Sequence, residues 1–326
     1  MKALRCRQYG PPDSLVIEDV PSPAAGPGEA VVSVKAAGVN FPDVLIIQNK
    51  YQLKPPLPFS PGGELAGVVK HVGAGVVHVA PGDRVMAITL YGAFAAEVKT
   101  EAASLQAIPE GMDDATAAAF LFAYTTSHHA LRDRAQLKAG ETLLVLGAAG
   151  GVGLAAVEIG KALGARVIAC ASSDDKLAVC RRHGADAAIN YTSDDLRERI
   201  KQSTGGKGVD VVFDPVGGVY TELALRSTAW RGRLLVIGFA SGDIPKIPLN
   251  LPLLKGCSIV GVFLGEFVRR EPAGFADSVR QLGDWYREGK LKPHVSATFP
   301  LEQAADALTM MAQRKVVGKV VLTVGT

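Results

Sequence analysis

The sequence predicts an α/β fold in which a compact, partly open β-barrel is joined to a doubly wound domain with a six-stranded parallel sheet. Residues 1–110 contain short β-like runs separated by proline and glycine, whereas residues 141–263 alternate apolar strands with helical segments. A glycine cluster follows the first of these later strands, as in nucleotide-binding βαβ units. With 326 residues, the chain is long for one core and suits two domains.

The first domain is predicted from strands at residues 30–36, 65–72, 84–88 and 93–98. Segments such as PSPAAGPGE, PPLPFSPGGE and APGDR place turns between them. The connection at residues 50–63 is long and rich in proline, and long ordered loops often line binding sites. We therefore expect this connection to form the wall of a cleft.

The second domain is organised around residues 141–173. The unbroken apolar run at 143–146 is typical of a parallel strand that is covered on both faces. Apolar residues then recur at helical spacing from Val152 until Gly164, which is a plausible helix end. Residues 166–171 predict a second buried strand, so the segment forms a βαβ unit with its glycines in the first turn.

Gly150, Gly151 and Gly153 leave the backbone bare where this helix begins. Without Cβ atoms the chain can turn sharply, and a diphosphate can approach the unpaired N–H groups of the first helical turn. Ala148 takes the first glycine position of the G-x-G-x-x-G pattern, while Gly150 and Gly153 take the other two. The strand-turn-helix-strand context favours dinucleotide binding over a strand and helix that are merely close-packed.

The end of the second strand favours NADPH over NADH. NAD-specific sites usually carry an acidic residue there, which binds the ribose 2′-hydroxyl, but this chain has Ser172. Lys176 lies four residues further on, where a cation can bind a 2′-phosphate. The alternative is that Lys176 is a solvated helix charge and that Asp174 reaches the ribose.

The remaining segments complete both domains. The segment after Asp113 is predicted to be helical, and further strands are expected at residues 187–189, 209–213, 233–238 and 258–263. Right-handed crossovers would bring the ends of these strands to one cofactor crevice. Helices are predicted at 275–288 and 301–311, with a closing strand at 319–324. We expect this last part to return to the first domain, with the cofactor between the two domains.

Composition and charge favour small molecules as partners. A net charge of +3 is too small to indicate nucleic acid or an anionic membrane surface, and no apolar run has the length of a membrane span. The four cysteines lack the spacing of a disulfide framework or a structural zinc site. No export signal is recognisable, so we expect a cytoplasmic protein without membrane or nucleic-acid partners.

Six motifs are specific enough to indicate a family: VKAAGVNFPD, PFSPGGELAGVV, GAAGGVG, GADAAINY, DVVFDPVGG and GKVVL, in this order. They resemble the zinc-independent NADPH:quinone oxidoreductases of the medium-chain dehydrogenase/reductase superfamily, over nearly the whole chain. The resemblance implies a GroES-like catalytic domain of residues 1–122 and 264–326 and a Rossmann NADPH-binding domain of residues 123–263. It also implies NADPH as cofactor and a homodimer or homotetramer.

The resemblance further predicts that no metal is bound. In zinc-dependent relatives a cysteine and the histidine of a G-H-E motif hold the catalytic zinc. The matching positions here are Asn40 and Gly63, the latter beside Glu64. Glu64 alone could not hold the ion, and the cysteine cluster of the structural zinc lobe is also missing.

Residues that match the family's cofactor contacts are carried over from the resemblance. They are expected at the nicotinamide, the diphosphate, the 2′-phosphate and the nicotinamide ribose, and comprise Asn40, Thr126, His129, Gly150, Gly151, Val152, Gly153, Ser172, Lys176, Tyr191, Gly238, Phe239, Ser241, Phe263 and Arg314. The predicted catalytic group is Asn40, Asp43 and Tyr51. Asp43 is favoured as a hydrogen-bonding positioner over an acid, and Tyr51 as an aromatic wall over a proton donor. His129 stands where other members carry a tyrosine, which leaves a structural role open.

Three functions remain open at this point. The first is a reductase that passes reducing equivalents from NADPH to a quinone, by hydride or by one-electron transfer. The second is an enone or enoyl-thioester reductase, because hydride delivery to an activated alkene uses the same cofactor pose. The third is an NADPH-binding sensor or structural protein with little turnover.

Overall fold

The computed structural model describes residues 1–325 and divides them into two compact units. The first unit comprises residues 1–122 together with the chain from residue 293 onward. The second comprises Ala123–Lys292. The chain passes from the first unit to the second within helix α3. This helix spans Leu121–His128 and continues as a π-helical stretch over His129–Arg134.

The first unit is mostly antiparallel sheet. Its strands are β1 (Lys2–Arg5), β2 (Val16–Asp19), β3 (Glu29–Val39), β4 (Glu64–Val72), β5 (Arg84–Ile88), β6 (Glu97–Glu101), β7 (Gln106–Ala107), β14 (Val295–Pro300) and β15 (Lys319–Thr323), and its helices are α1 (Phe41–Ile46), α2 (Asp114–Ala118) and α11 (Ala304–Ala312). Within the described residues, seven strands form one sheet in the order β14-β15-β3-β4-β5-β7, with β6 also paired to β3. β1 and β2 form a separate hairpin.

Strand β3 organises this unit because its eleven residues are long enough to pair with three other strands. Its first half pairs with β6, its second half pairs with β15, and β4 runs along the opposite edge. Val39 lies opposite Val320, and Ala37 lies opposite Leu65. The residue that follows β3 and the first residues of β4 and β15 therefore come together at one end of the sheet.

The second unit is a doubly wound parallel sheet. Its strands are β8 (Thr142–Val145), β9 (Arg166–Ala171), β10 (Ala187–Asn190), β11 (Val209–Asp214), β12 (Thr228–Val236) and β13 (Ser258–Gly261), and its further helices are α4 (Gly151–Ala162), α5 (Asp174–Arg182), α6 (Leu196–Ser203), α7 (Val219–Arg226), α8 (Asn250–Lys255), α9 (Leu264–Arg270) and α10 (Pro272–Arg287). Among the described residues the order is β10-β9-β8-β11-β12-β13, and every pairing is parallel. The predicted six-stranded sheet is confirmed. Its order reverses between β8 and β11, the point at which such folds bind dinucleotides.

Most predicted elements are confirmed, and the differences have physical causes. The strand predicted at 93–98 begins only at Glu97, because the N–H groups of Ala93 and Phe94 donate to the loop at Gly62 and Pro61, and Ala95 forms only an isolated bridge to Ala3 of β1. The sequence did not indicate β14, nor the short hairpin of β1 and β2. Strand β14 alternates half-buried and exposed residues and lacks an apolar run.

Residues 264–292 belong to the second unit, whereas the sequence analysis placed them with the first. Aromatic packing explains this position. Phe267 of α9 stacks on His129 with ring centroids 3.9 Å apart, and Trp285 of α10 meets His128 edge to face at 5.6 Å. Ser278 also hydrogen-bonds to His128 at 3.1 Å. Helix α10 therefore packs against the end of α3, and α9 packs against the π-helical stretch that follows it.

None of the helices within residues 1–325 is both long enough and apolar enough to cross a bilayer.

Candidate functional site

The turn between β8 and α4 forms a bare backbone surface at the switch point of the sheet. Gly147 has a φ of +58°, which a side chain disfavours, and it turns the chain away from the strand. Gly150 caps α4 with an extended backbone, and no side chain caps this helix. A Cβ on Gly150 would find its nearest heavy atom, the carbonyl oxygen of Gly147, at 3.4 Å, so the space beside it is open.

Gly153 has a different role in the same turn. A Cβ there would lie 2.3 Å from the carbonyl oxygen of Gly147 and 2.8 Å from the Cα of Ala148. Helix α4 therefore lies against the turn at a distance that excludes any side chain at this position. Ser127 donates a hydrogen bond to the carbonyl oxygen of Val152 at 2.8 Å, which adds a link to α3.

This arrangement fits a diphosphate. The twelve residues of α4 align their peptide dipoles toward the turn, and the N–H groups of its first turn have no partners within the helix. An anion placed there would be bound by backbone alone. The structure thus brings Gly150, Gly151, Val152 and Gly153 into the predicted geometry, and their contact with a cofactor stays a prediction.

A second polar group lies where β9 and β10 end. Lys176 donates from Nζ to the hydroxyl of Ser172 at 3.3 Å, and Ser173 caps α5. Thr192 donates to the carbonyl oxygen of Ser172 at 3.2 Å, so the segment that contains Tyr191 is held beside Ser172. The Tyr191 ring packs on Tyr220 with centroids 4.4 Å apart. The three residues predicted for the 2′-phosphate therefore lie together.

Asp174, the alternative ribose ligand, already has a partner. Its Oδ1 accepts a hydrogen bond from the side-chain amide of Asn190 at 3.1 Å. Asp174 also lies in the first turn of α5, where the helix dipole stabilises a negative charge. This position favours a capping role for Asp174 over ribose recognition.

The loop after β11 is fixed by the side chain of Asp214, which the sequence analysis did not single out. Its carboxylate accepts hydrogen bonds from the N–H groups of Val216 and Gly217 at 2.8 and 2.9 Å and from the Thr221 hydroxyl at 2.5 Å. Burial raises the pKa of Asp214, although these three hydrogen bonds oppose the shift. The available signal was an aspartate that ends an apolar strand and precedes Pro215 and two glycines.

Asp214 also supports the predicted ribose loop. The N–H of Ala240 donates to the carbonyl oxygen of Pro215 at 3.0 Å, and that of Ser241 donates to Val216 at 2.8 Å. Gly238, Phe239 and Ser241 therefore lie next to the loop that Asp214 fixes. Their contact with a cofactor is untested.

The predicted residues around α3 are mostly buried. Thr126 and His129 are buried, and His129 has Asp133 Oδ2 at 2.9 Å from its Nδ1 as well as Phe267 against its ring. Phe263 is half exposed just before α9. The structure gives His129 a packing role, while the predicted cofactor contacts of all three residues stay predictions.

In the first unit, four polar side chains form a buried cluster that we call the amide cluster: Asn40, Asp43, Glu64 and Lys319. Lys319 Nζ donates to Glu64 Oε2 at 3.0 Å and to Asn40 Oδ1 at 2.6 Å. Asn40 Nδ2 donates to Glu64 Oε2 at 3.1 Å and to the carbonyl oxygen of Gly38 at 3.3 Å. The side chains of Glu64 and Lys319 are only 0% and 6% exposed, so this ion pair is removed from water.

Asp43 completes the cluster from the first turn of α1. Its Oδ2 accepts a hydrogen bond from the backbone N–H of Asn40 at 2.7 Å. Burial raises the pKa of Asp43 to about 7, even though the Asn40 N–H and the nearby Lys319 ammonium group favour the ionised form. Tyr51 is half-buried, and burial together with the charge of Asp43 raises the pKa of its hydroxyl group. The predicted catalytic residues Asn40 and Asp43 thus share one hydrogen-bonded site.

This donor set does not fit a zinc ion. The residues at the positions that match zinc ligands in zinc-dependent relatives are an amide and a glycine, and the adjacent carboxylate of Glu64 is paired with an ammonium group. The chain as described over residues 1–325 has no group of three or more His, Cys, Asp or Glu side chains that could hold a metal. The remaining predicted residue of this unit, Arg314, is exposed beyond α11 with a φ of +56°, and its role is untested.

Two parts of the chain match known protein families. Residues 26–126 match the family model of the alcohol dehydrogenase GroES-like domain, and residues 151–281 match that of the zinc-binding dehydrogenases. A quinone oxidoreductase-like protein 2 homolog from Nematostella vectensis is 39% identical over 325 residues, which cover 98% of this chain and 88% of that protein.

Two solved structures are similar over nearly the full length. The quinone oxidoreductase of Escherichia coli, crystallised with NADPH, has 31% identity and a TM-score of 0.93, with coverage of 99% of this chain and 100% of that one. The CurK enoyl reductase has 28% identity and a TM-score of 0.91, with 99% of each chain covered.

Proposed function

The chain belongs to the quinone oxidoreductase family of the medium-chain dehydrogenase/reductase superfamily, and on this premise we propose that it reduces quinones with NADPH without a metal ion. The observation that carries the proposal is the bare turn at Gly150 followed by the Ser172 and Lys176 pair, 3.3 Å apart, one strand further along. A diphosphate fits the first and a 2′-phosphate fits the second. The E. coli relative crystallised with NADPH supports this cofactor.

The residues proposed to hold NADPH divide by the part of the cofactor they bind. Backbone N–H groups at Gly151 and Val152 bind the diphosphate, and Ser172, Lys176 and Tyr191 bind the 2′-phosphate. The loop at Gly238, Phe239 and Ser241 lies against the ribose next to the nicotinamide. Once bound, NADPH supplies the hydride that the acceptor receives.

The protein's own contribution is to orient the acceptor and to provide a proton. A quinone that takes up a hydride becomes a hydroquinone monoanion, which needs one proton to become the neutral hydroquinone. Solvent or a hydroxyl group such as that of Tyr51 can donate this proton. The hydroxyl group of Tyr51 is protonated at neutral pH, and burial together with the charge of Asp43 raises its pKa further, which makes it a weaker acid and favours the aromatic wall over the proton donor. Asn40 and Asp43 are proposed to fix the polar end of the acceptor site through the amide cluster.

Independence from zinc is part of the proposal. In a zinc site, the ion polarises the carbonyl oxygen of the substrate. Here the equivalent carboxylate, Glu64, is neutralised by Lys319, and Asn40 provides an amide in place of a thiolate. We therefore expect turnover to persist after dialysis against a strong chelator, with the zinc content of the active protein well below one ion per chain.

The decisive experiment is an acceptor panel that follows NADPH consumption. The purified protein is mixed with 1,4-quinones, 2-alkenals or enoyl-CoA esters under identical conditions, and kcat/KM is compared across the three classes. Quinones giving the highest kcat/KM supports the proposal. A higher value for enoyl-CoA esters instead supports alkene reduction, a second candidate that the likeness to the CurK enoyl reductase favours.

A third candidate is an NADPH-binding sensor or structural protein. It predicts tight binding of NADPH and no oxidation of it by any acceptor in the same panel. Electron paramagnetic resonance in the first phase of turnover distinguishes one-electron transfer from hydride transfer, because only one-electron transfer forms semiquinone radicals before hydroquinone accumulates and reacts with the remaining quinone. The same assays therefore separate all of the candidate activities.

We also propose that the protein is a cytoplasmic homodimer. Strand β13 forms one edge of the parallel sheet, and the surface near it exposes Trp230, Leu253 and Leu254 at 72%, 78% and 72%. Such an apolar edge is unfavourable in water and suits a second copy of the chain. The four free cysteines fit a reducing compartment. Light scattering should give twice the chain mass, and Leu253→Arg should halve it.

A further inference from the structure

The amide cluster contains a lysine that the sequence analysis did not assign to any role. Lys319 is the first residue of β15, and its side chain is 6% exposed. It is brought to Asn40 because Val320 pairs with Val39, and to Glu64 because the next residue, Leu65, pairs with Ala37 of the same strand β3. Three distant parts of the sequence thus meet at one buried point.

The hydrogen-bonding groups of Lys319 and Glu64 determine which way the Asn40 amide is oriented. An ammonium group can only donate hydrogen bonds, and a carboxylate can only accept them. The amide therefore has one favourable orientation, with Oδ1 toward Lys319 at 2.6 Å and Nδ2 toward Glu64 at 3.1 Å. Rotating it by half a turn would place two donors face to face and two acceptors face to face.

We propose that Lys319 is a positioning residue of the reductase, which acts with Glu64 to fix the orientation of the Asn40 side chain at the acceptor site. The proposal rests on the proposed function, in which Asn40 contacts the reacting groups. Zinc-dependent relatives hold a zinc ion at the matching point. In this chain, the positive charge at that point is the ammonium group of Lys319. A cation of this kind neutralises Glu64 and sets the direction of the amide without binding the substrate.

The test must separate orientation from simple charge balance. Lys319→Met alone leaves a buried carboxylate without a counter-charge, so its effect on folding would obscure any effect on turnover. The double variant Glu64→Gln/Lys319→Met removes both charges with side chains of similar size. The Phe122 N–H donates to Glu64 Oε1 at 2.8 Å, so the substituted amide would keep its oxygen there and turn its NH2 group toward Asn40 Nδ2. The wild-type orientation of the Asn40 amide then loses its preference. Lys35→Met is the matched control, because Lys35 is an exposed lysine on the neighbouring strand β3.

Three readouts are compared for wild type, control and double variant: the thermal midpoint, the Kd of NADPH, and kcat with the best quinone. We expect the double variant to fold, to bind NADPH within about twofold of wild type, and to lose on the order of tenfold to a hundredfold in kcat, as misplaced groups do. Lys35→Met should match the wild type in all three. A double variant with wild-type kcat overturns the proposal.

A cycle with Asn40→Ala tests whether Lys319 acts through Asn40. If it does, Asn40→Ala lowers kcat to a similar extent, and the triple variant shows no further loss. Losses that multiply in the triple variant overturn the proposal, because Lys319 would then act independently of Asn40. Should the double variant not fold, Glu64→Gln/Lys319→Leu takes its place, since it also removes the donor that faces Asn40 Oδ1 without leaving an unpaired charge, and the same outcomes apply.

Failure of the proposed function is recognised separately. Wild-type protein that oxidises no NADPH with any acceptor contradicts the reductase assignment. Crystal structures of the wild type and the double variant then decide the positioning role without turnover. An Asn40 side chain that changes its orientation or hydrogen-bond partners in the variant supports the proposal, and one that is unchanged overturns it.

Discussion

The diphosphate turn of the second unit and the amide cluster of the first unit are built in opposite ways. The turn uses backbone N–H groups and the absence of side chains, and all of its members lie between Gly147 and Gly153. The amide cluster uses charged and polar side chains, and its hydrogen bonds join residues 24, 255 and 279 positions apart. One site depends on local geometry, and the other depends on strand register.

This difference predicts how each site responds to substitution. A backbone site tolerates substitutions that leave the backbone conformation unchanged. It no longer binds its ligand when a new Cβ occupies the space of the ligand or forces the turn to move. A buried polar site tolerates changes of shape better than changes of charge, because an unpaired buried charge is costly. The following predictions test this contrast, beginning with the largest effect.

Removal of one charge from the amide cluster should have the largest effect on stability. Lys319→Met leaves the carboxylate of Glu64, which is 0% exposed, without its cation. We expect the free energy of unfolding to fall by about 3–5 kcal/mol, as for other broken buried ion pairs. Urea denaturation measures it. The double variant Glu64→Gln/Lys319→Met should recover most of the loss, and a single variant as stable as wild type would contradict the contrast.

The residues predicted to bind the 2′-phosphate, which lie beyond the diphosphate turn, should show a smaller effect, and on cofactor binding instead of on stability. Lys176→Ala removes a charge-assisted contact with the 2′-phosphate, which is worth roughly 1.5–3 kcal/mol. The Kd of NADPH should therefore rise roughly tenfold to a hundredfold, and that of NADH should hardly change. Isothermal titration with both cofactors measures this ratio. Lys207→Ala, at an exposed lysine of the same unit, is the control, and equal weakening of both cofactors would argue against NADPH specificity.

Substitutions at two glycines of the turn should separate an effect on NADPH binding from an effect on stability. Gly153→Ala places a Cβ 2.3 Å from the carbonyl oxygen of Gly147, so backbone must move, and we expect a loss of about 1–3 kcal/mol in stability. Gly150→Ala meets nothing closer than 3.4 Å and has a φ of −78°, so the fold should tolerate it while the diphosphate is hindered. Thermal denaturation and NADPH titration of both variants test this. Equal loss of stability in the two would refute the separate roles.

The same contrast explains what the sequence could predict. The βαβ unit was predictable because its apolar strands, glycines and helix lie within about thirty residues, where periodicity and turn chemistry act locally. Strand β9 was predicted with its observed bounds. The contacts of Lys319 were not predictable, because no local pattern reports that β15 pairs with β3. Asp214 was missed for a related reason, since two of its donors lie in a loop whose path depends on positive-φ glycines and the third, Thr221, lies in the helix that follows that loop.

Asp43 provides the smallest and most specific test, because it adds a titratable group to the amide cluster. Its pKa is about 7 in the folded protein, against an ordinary value of 3.8. Between about pH 4 and pH 7 the folded state therefore holds a proton that the unfolded state has released, so stability attributable to Asp43 falls as the pH rises. Above about pH 7 both states are ionised, and the dependence ends.

Asp43→Asn should flatten this part of the stability profile. Its amide oxygen can still accept the hydrogen bond from the N–H of Asn40, which Asp43 accepts at 2.7 Å, but it does not titrate. The free energy of unfolding, measured by urea denaturation from pH 5 to pH 8, should decline less steeply in the variant than in wild type. Parallel profiles would mean that Asp43 is already ionised at pH 5. In that case the ammonium group of Lys319 would affect the pKa of Asp43 more strongly than burial does.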